Sequence, residues 1–162
     1  MALILIEFYK HNTWANLRLI DVCAVLPDEQ LDATAPGTFG SIRDTLVHLI
    51  AAQERYLAAI TGEEPANPLR RNGGFPGFLE LRERAHRTGE GLVTRVEHAD
   101  SIPTVHTIWH GEPLSLPTFV FFVQAINHAT EHRAHVATIL GALGIEPPGL
   151  DGWTYGEDPA GR

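Results

Sequence analysis

The chain is poor in sulfur and in positive charge. Cys23 is the single cysteine among 162 residues, so no disulfide can form within the chain. That cysteine count, with no charged-then-apolar leader ahead of a small-residue cleavage site, fits a reducing cytoplasm. Lysine and arginine number 12 against 20 acidic residues, a formal charge of −8. Binding to a phosphate backbone draws on counterions released by clustered cations, so the charge balance argues against a nucleic-acid partner. Every apolar run is broken by polar or charged residues before about 18 positions, which argues against a transmembrane helix. The length is that of one ordinary domain, able to bury a core without disulfides, and a single domain is expected over 1–162.

Histidine, in contrast, is abundant. The segment Asn127-His128-Ala129-Thr130-Glu131-His132-Arg133-Ala134-His135 holds three of the nine histidines. At about 100° per residue, positions i, i+4 and i+7 project along one stripe of a helix. Between Pro117 and Leu143 only Glu131 and Arg133 are formally charged, and Phe119, Phe122, Val123, Ile126, Val136 and Leu140 make a broad apolar face. Imidazoles in such surroundings need partners, either hydrogen bonds in a core or cleft, or a metal ion.

The rest of the chain reads as helices. Apolar residues at helical intervals run from Leu3 to Leu26 before Pro27, and Trp14 is expected in the core. The connector 28–40 is rich in Pro, Gly, Thr and Asp. Ser41 with Asp44 opens a second helix, in the manner of a capping box, that runs to about Ile60. A long loop, Thr61 to Gly74, is expected to be mobile or to shape a site. A third helix covers about Pro76 to Val96, and Thr104 to Leu116 suggests a short hairpin turning at Gly111. Pro117 fits the first position of the longest helix, Thr118 to Leu143, which Gly144 closes. The expected fold is all-α: an antiparallel four-helix bundle with a short β-hairpin before the last helix. An irregular tail should lay Trp153 and Tyr155 against it.

A second contributor to the histidine stripe is His48, set mid-helix in Leu46-Val47-His48-Leu49-Ile50. Ala51, Ala52, Arg55 and Ala59 continue its stripe, and the small residues let another helix approach closely enough to share an ion. Cys23, among Ile20, Val22, Val25 and Leu26, reads as a small buried apolar residue and not a nucleophile. His106 and His110 would share one face of an extended segment and form a rival site, although a surface hairpin accounts for them. His11, His86 and His98 have polar neighbours and are expected in solvent. Tyr56, Tyr155 and Trp153 are read as packing residues, with a pocket lining at one end of the bundle as the alternative.

Three segments together resemble the DinB/YfiT-like family: Asn12-Thr13-Trp14-Ala15-Asn16, Ser41-Ile42-Arg43-Asp44-Thr45-Leu46-Val47-His48-Leu49 and His128-Ala129-Thr130-Glu131-His132-Arg133-Ala134-His135-Val136. The resemblance implies a four-helix bundle binding one divalent metal, zinc or nickel, through His48, His128 and His132. The family commonly has glutamine where this chain has His135, which leaves that residue as a fourth ligand, a supporting donor or an acid/base. Some members are thiol-dependent transferases, so the resemblance implies a metal-dependent transferase or hydrolase acting on a small molecule, with a low-molecular-weight thiol as a possible cofactor. Arg55, two turns on along the His48 stripe, is the candidate to steady an anionic substrate group, with an exposed structural arginine as the alternative, and His135 is the other catalytic candidate. A homodimer is a further implication of the resemblance. The competing reading is a non-catalytic, stress-related bundle that binds a structural metal or forms dimers.

Overall fold

The computed structural model describes residues 2–70, 73–98, 103–109 and 111–159. Its long helices are α1 (Ala2–Cys23), α3 (Ile42–Thr61), α4 (Phe78–Glu97) and α5 (Thr118–Ala142), with short helices α2 (Asp28–Leu31) and α6 (Gly152–Glu157). Between α4 and α5 the strands β1 (Thr104–Trp109) and β2 (Glu112–Pro117) pair antiparallel, Thr104 opposite Pro117 and Trp109 opposite Glu112. None of the described helices is long and apolar enough to cross a membrane.

Local chemistry sets the helix ends. The Ser41 hydroxyl accepts from the Asp44 amide at 3.1 Å and opens α3. Gly62 closes it in the left-handed conformation, φ 75°. At the end of α5, Gly144 adopts φ 74°, and the Ile145 amide donates back to the Leu140 carbonyl at 2.9 Å. A Cβ opposes that conformation, so glycine stops this helix cleanly.

Helix α1 packs on α4 and α5, and α3 packs on the same two. Asp21 meets Arg82 and Thr13 faces Gly89, so α1 and α4 run antiparallel. His48 meets His132 and Tyr56 meets His128, which makes α3 and α5 antiparallel as well. Along α3 and α4, Gln53 bonds Thr88 and Leu57 lies over Gly91, so these two point the same way. The chain between them must therefore return along the bundle, which accounts for the long loop after Thr61. Its far half is tied down where Glu54 accepts the Leu69 amide at 2.8 Å and Arg84 donates to the Asn67 carbonyl at 3.0 Å. Two buried clusters fill the interior, one centred on Ile42, Leu46, Ile50 and Ile139, the other on Tyr9, Ala52, Tyr56 and Phe121.

Several expectations need correcting. Helix α1 ends at Cys23, and Pro27 precedes the extra turn α2 inside the expected connector. Pro117 is the N-cap of α5 with ψ 140°, because it is still the last residue of β2. The tail forms α6, capped by Asp151 accepting from the Trp153 and Thr154 amides. Tyr155 is buried there, but Trp153 is 86% exposed. Trp14 is half-buried and donates to Asp158 at 2.9 Å. His11 is also half-buried, against Trp14 and Tyr155, with Nε2 2.8 Å from the Leu150 carbonyl. Phe119 and Val123 face outward instead of completing the apolar face of α5. Cys23 is fully buried, and burial pushes its thiol up to about 12.

Candidate metal centre

His48 comes from the middle of α3, and His128 and His132 from one stripe of α5. Their ligand nitrogens all lie within 4.8 Å of one another. His128 Nε2 is 3.0 Å from His48 Nε2 and 3.1 Å from His132 Nε2. An imidazole nitrogen carries either one N–H or one lone pair in the ring plane, so His128 can complete only one of these contacts as a good hydrogen bond. A tetrahedral ion with nitrogen ligands at about 2.0–2.1 Å separates them by about 3.3 Å. The donor set therefore fits a divalent ion with small adjustments, and it gives all three lone pairs a common partner.

Phe39 roofs the cluster, stacked on His48 at 4.1 Å between centroids and set edge-on to His132 at 5.0 Å. Burial, followed by His132, His48 and Arg55, lowers the His128 pKa to about 3. Burial and then His135 lower that of His132. Both rings are neutral at pH 7, the form that binds metal. His132 Nδ1 is itself buried without a hydrogen-bond partner among the described residues.

His135 stands apart from the three. Its ring centroid is 5.2 Å from that of His132 and its Nδ1 is buried without a partner among the described residues, but it does not join the close group. Arg55 lies beside a cavity of about 390 Å³ that reaches His48 and His128 and is walled by Tyr56, Trp109 and Phe121. The Arg55 guanidinium sits 4.9 Å over the Trp109 ring. Tyr56 stacks on Trp109 at 5.6 Å and 11°. Tyr155 is not among the residues that line this cavity and packs on His11 and Trp14.

The hairpin supplies one wall of the cavity. In β1 the alternation turns Val105, Thr107 and Trp109 inward, and in β2 it turns Leu114 and Leu116. His106 is exposed, with Nδ1 2.9 Å from Ser115 Oγ, while His110 lies outside the described residues. His86 and His98 are exposed. Sequence reasoning missed Phe39 and placed Trp109 in a surface hairpin, where the hairpin is present but Trp109 lines the cavity. An aromatic isolated in a polar connector just before a helix cap was the available signal for the first, and strand alternation for the second.

The fold and the three-histidine cluster define a helical bundle with a candidate metal site. The DinB family model matches residues 1–159, and the chain belongs to the DinB family. No curated protein matches it in sequence. Among solved structures, a DinB-like protein from Bacillus cereus ATCC 10987 is similar with a TM-score of 0.66 at 20% identity, covering 90% of this chain and 94% of that one. At that identity the likeness is one of fold.

Proposed function

We propose that the chain is a metal-dependent enzyme, a transferase of the thiol-dependent type or a hydrolase, that acts on a small molecule at a site built by His48, His128 and His132. The observation that carries this reading is the convergence of three neutral-type ligands from two helices beside a cavity. A closed structural site takes four protein ligands, whereas three beside a cavity leave a position for substrate or water. A zinc or nickel ion there would supply Lewis acidity and lower the pKa of a thiol or water ligand.

The chain's own residues supply the rest. Phe39 covers the His48 face and keeps water from one side. Arg55, Trp109 and Phe121 line the cavity together with His48 and His128. His135 is a candidate acid/base beside His132 and is not among the residues that line the cavity. The cytoplasmic setting and a homodimer belong to the same proposal, supported by the single buried thiol and by family resemblance.

The test is metal content by mass spectrometry of untagged wild type beside His48→Ala and His132→Ala. About one ion per chain in wild type, lost in both variants, supports the site. A wild type that holds no metal and takes up neither zinc nor nickel removes the catalytic reading.

A further inference from the structure

The cavity beside the histidines has a composition that selects its ligand. Its volume of about 390 Å³ lies at the small end of the roughly 300–1,000 Å³ range of ligand pockets. Its walls are apolar or aromatic, from Tyr56, Trp109, Leu114, Leu116, Val120 and Phe121. Against these stand one cation, Arg55, and one amide, Gln124. The cation is held in place by the indole beneath it. No carboxylate of the described residues lies within ion-pair distance of Arg55. In a chain with 20 acidic residues and 12 basic ones, an exposed arginine that lines a cavity over an indole, without an internal counter-ion, is a group available to a ligand.

We propose that this cavity binds small planar, apolar carboxylates, the ring against Trp109 and Tyr56 and the carboxylate on the Arg55 guanidinium. The proposal deepens the metal-enzyme reading and rests on it for what happens to the ligand after binding. Arg55 and His48 both belong to α3 and are two turns apart, about 10 Å along the axis. A ligand of one ring and a short arm therefore spans from the guanidinium to the imidazoles. Guanidinium matches a carboxylate with paired donors, which an alcohol or amide cannot reciprocate.

The probes are 3-phenylpropionate, its neutral amide 3-phenylpropionamide, and acetate, titrated calorimetrically into zinc-treated and chelator-treated protein. The expected result is that the aromatic acid binds about tenfold more tightly than its amide in both preparations. Arg55→Gln should abolish that preference while the amide binds as before, and Arg55→Lys should restore part of it. Acetate should bind far more weakly than 3-phenylpropionate. Equal affinity for acid and amide, absence of binding by either, or a preference that survives Arg55→Gln overturns the proposal. A preference that requires zinc and survives Arg55→Gln would place the carboxylate on the ion, which also overturns it. If wild type takes up no zinc but the Arg55-dependent preference is present, the metal reading fails and the binding site stands.

Discussion

Phe39 lies flat on His48, with ring centroids 4.1 Å apart and 19° between the planes. A ring held this way cannot rotate about its χ angles without losing the stack, so Nε2 stays aimed at His128 and His132. Groups that orient a metal-binding histidine are worth about 10–100-fold in metal affinity. Phe39→Ala should therefore weaken zinc binding by about tenfold, at the low end because the contact is packing and not a hydrogen bond. Phe39→Leu, which keeps apolar cover without a flat face, should fall between. Competition with a chromophoric chelator measures all three proteins, and equal affinities would show that the stack has no orienting role.

The neutral state of His128 makes the metal-free protein sensitive to acid. Its pKa falls from 6.5 to about 3 because burial disfavours the imidazolium, with His132, His48 and Arg55 adding to the effect. The unfolded chain takes up this proton near 6.5 and the folded chain only near 3. Between those values the unfolded state binds more protons, so stability drops as pH falls, by up to about 1.4 kcal/mol per pH unit for this group. Above pH 6.5 the group contributes no slope. Urea midpoints of chelator-treated wild type should fall between pH 6.5 and 4, while His128→Asn should show a shallower decline. Parallel acid limbs for the two proteins would contradict the assignment.

Much of the bundle was legible because its punctuation is local. Ser41, Gly62 and Gly144 cap helices with their own backbone or side-chain chemistry, and such chemistry can be read from sequence. The histidines stood out as imidazoles in apolar helices, but the helical spacing grouped His135 with His128 and His132, whereas the close group in the structure is His48, His128 and His132. Features decided by distant partners were not legible. The position of Phe39 depends on where the connector crosses α3 and α5, and no periodicity encodes it. Trp109 reads as surface until Tyr56 and Arg55 are known to pack against its ring. The shared direction of α3 and α4 follows from side-chain pairs 34 and 35 positions apart in sequence, such as Leu57 with Gly91 and Gln53 with Thr88.

Close approach of α1 and α4 depends on Gly89. A Cβ at this position would run into the Oγ1 and Cγ2 of Thr13, whose hydroxyl is already committed to the Tyr9 carbonyl at 3.0 Å. Forcing a methyl into such a contact costs about 1–3 kcal/mol, more than the roughly 1 kcal/mol of helix propensity that alanine gains over glycine. Gly89→Ala should therefore destabilise by about 1 kcal/mol net, and Thr13→Ala in the same chain should reverse the sign by making room. Gly141, which has nothing within 4 Å of such a Cβ, provides the control: Gly141→Ala should stabilise slightly. Denaturant unfolding of the four proteins checks this, and a stabilised Gly89→Ala would disprove the close packing.

Arg133, next to His132, is a buried cation surrounded by neutral oxygens. It is 5% exposed and donates to Asn12 Oδ1 and Asn16 Oδ1, both at 2.7 Å, and to Thr130 Oγ1 at 3.0 Å. Burial lowers its pKa to about 10, still charged at neutral pH. The two asparagine amides point onward to Gln53 Oε1, and Gln53 Nε2 donates to Thr88 Oγ1 at 2.6 Å, which donates to the Arg84 carbonyl at 2.7 Å. Donation thus runs one way, from α5 through α1 and α3 to α4, and it starts at Arg133. Arg133→Met fills similar space but strands two buried amide oxygens, at about 1–3 kcal/mol for each group left without a partner, so a loss of about 3 kcal/mol is expected. Arg133→Lys keeps the charge and several donors without the planar fork and should recover part of that loss. Because the network fixes α5 at the residue after His132, zinc affinity should fall in Arg133→Met, and less in Arg133→Lys. Urea unfolding with chelator titration measures both quantities. A methionine variant as stable as wild type would mean that the amides repartner among themselves and that the arginine does not organise the bundle.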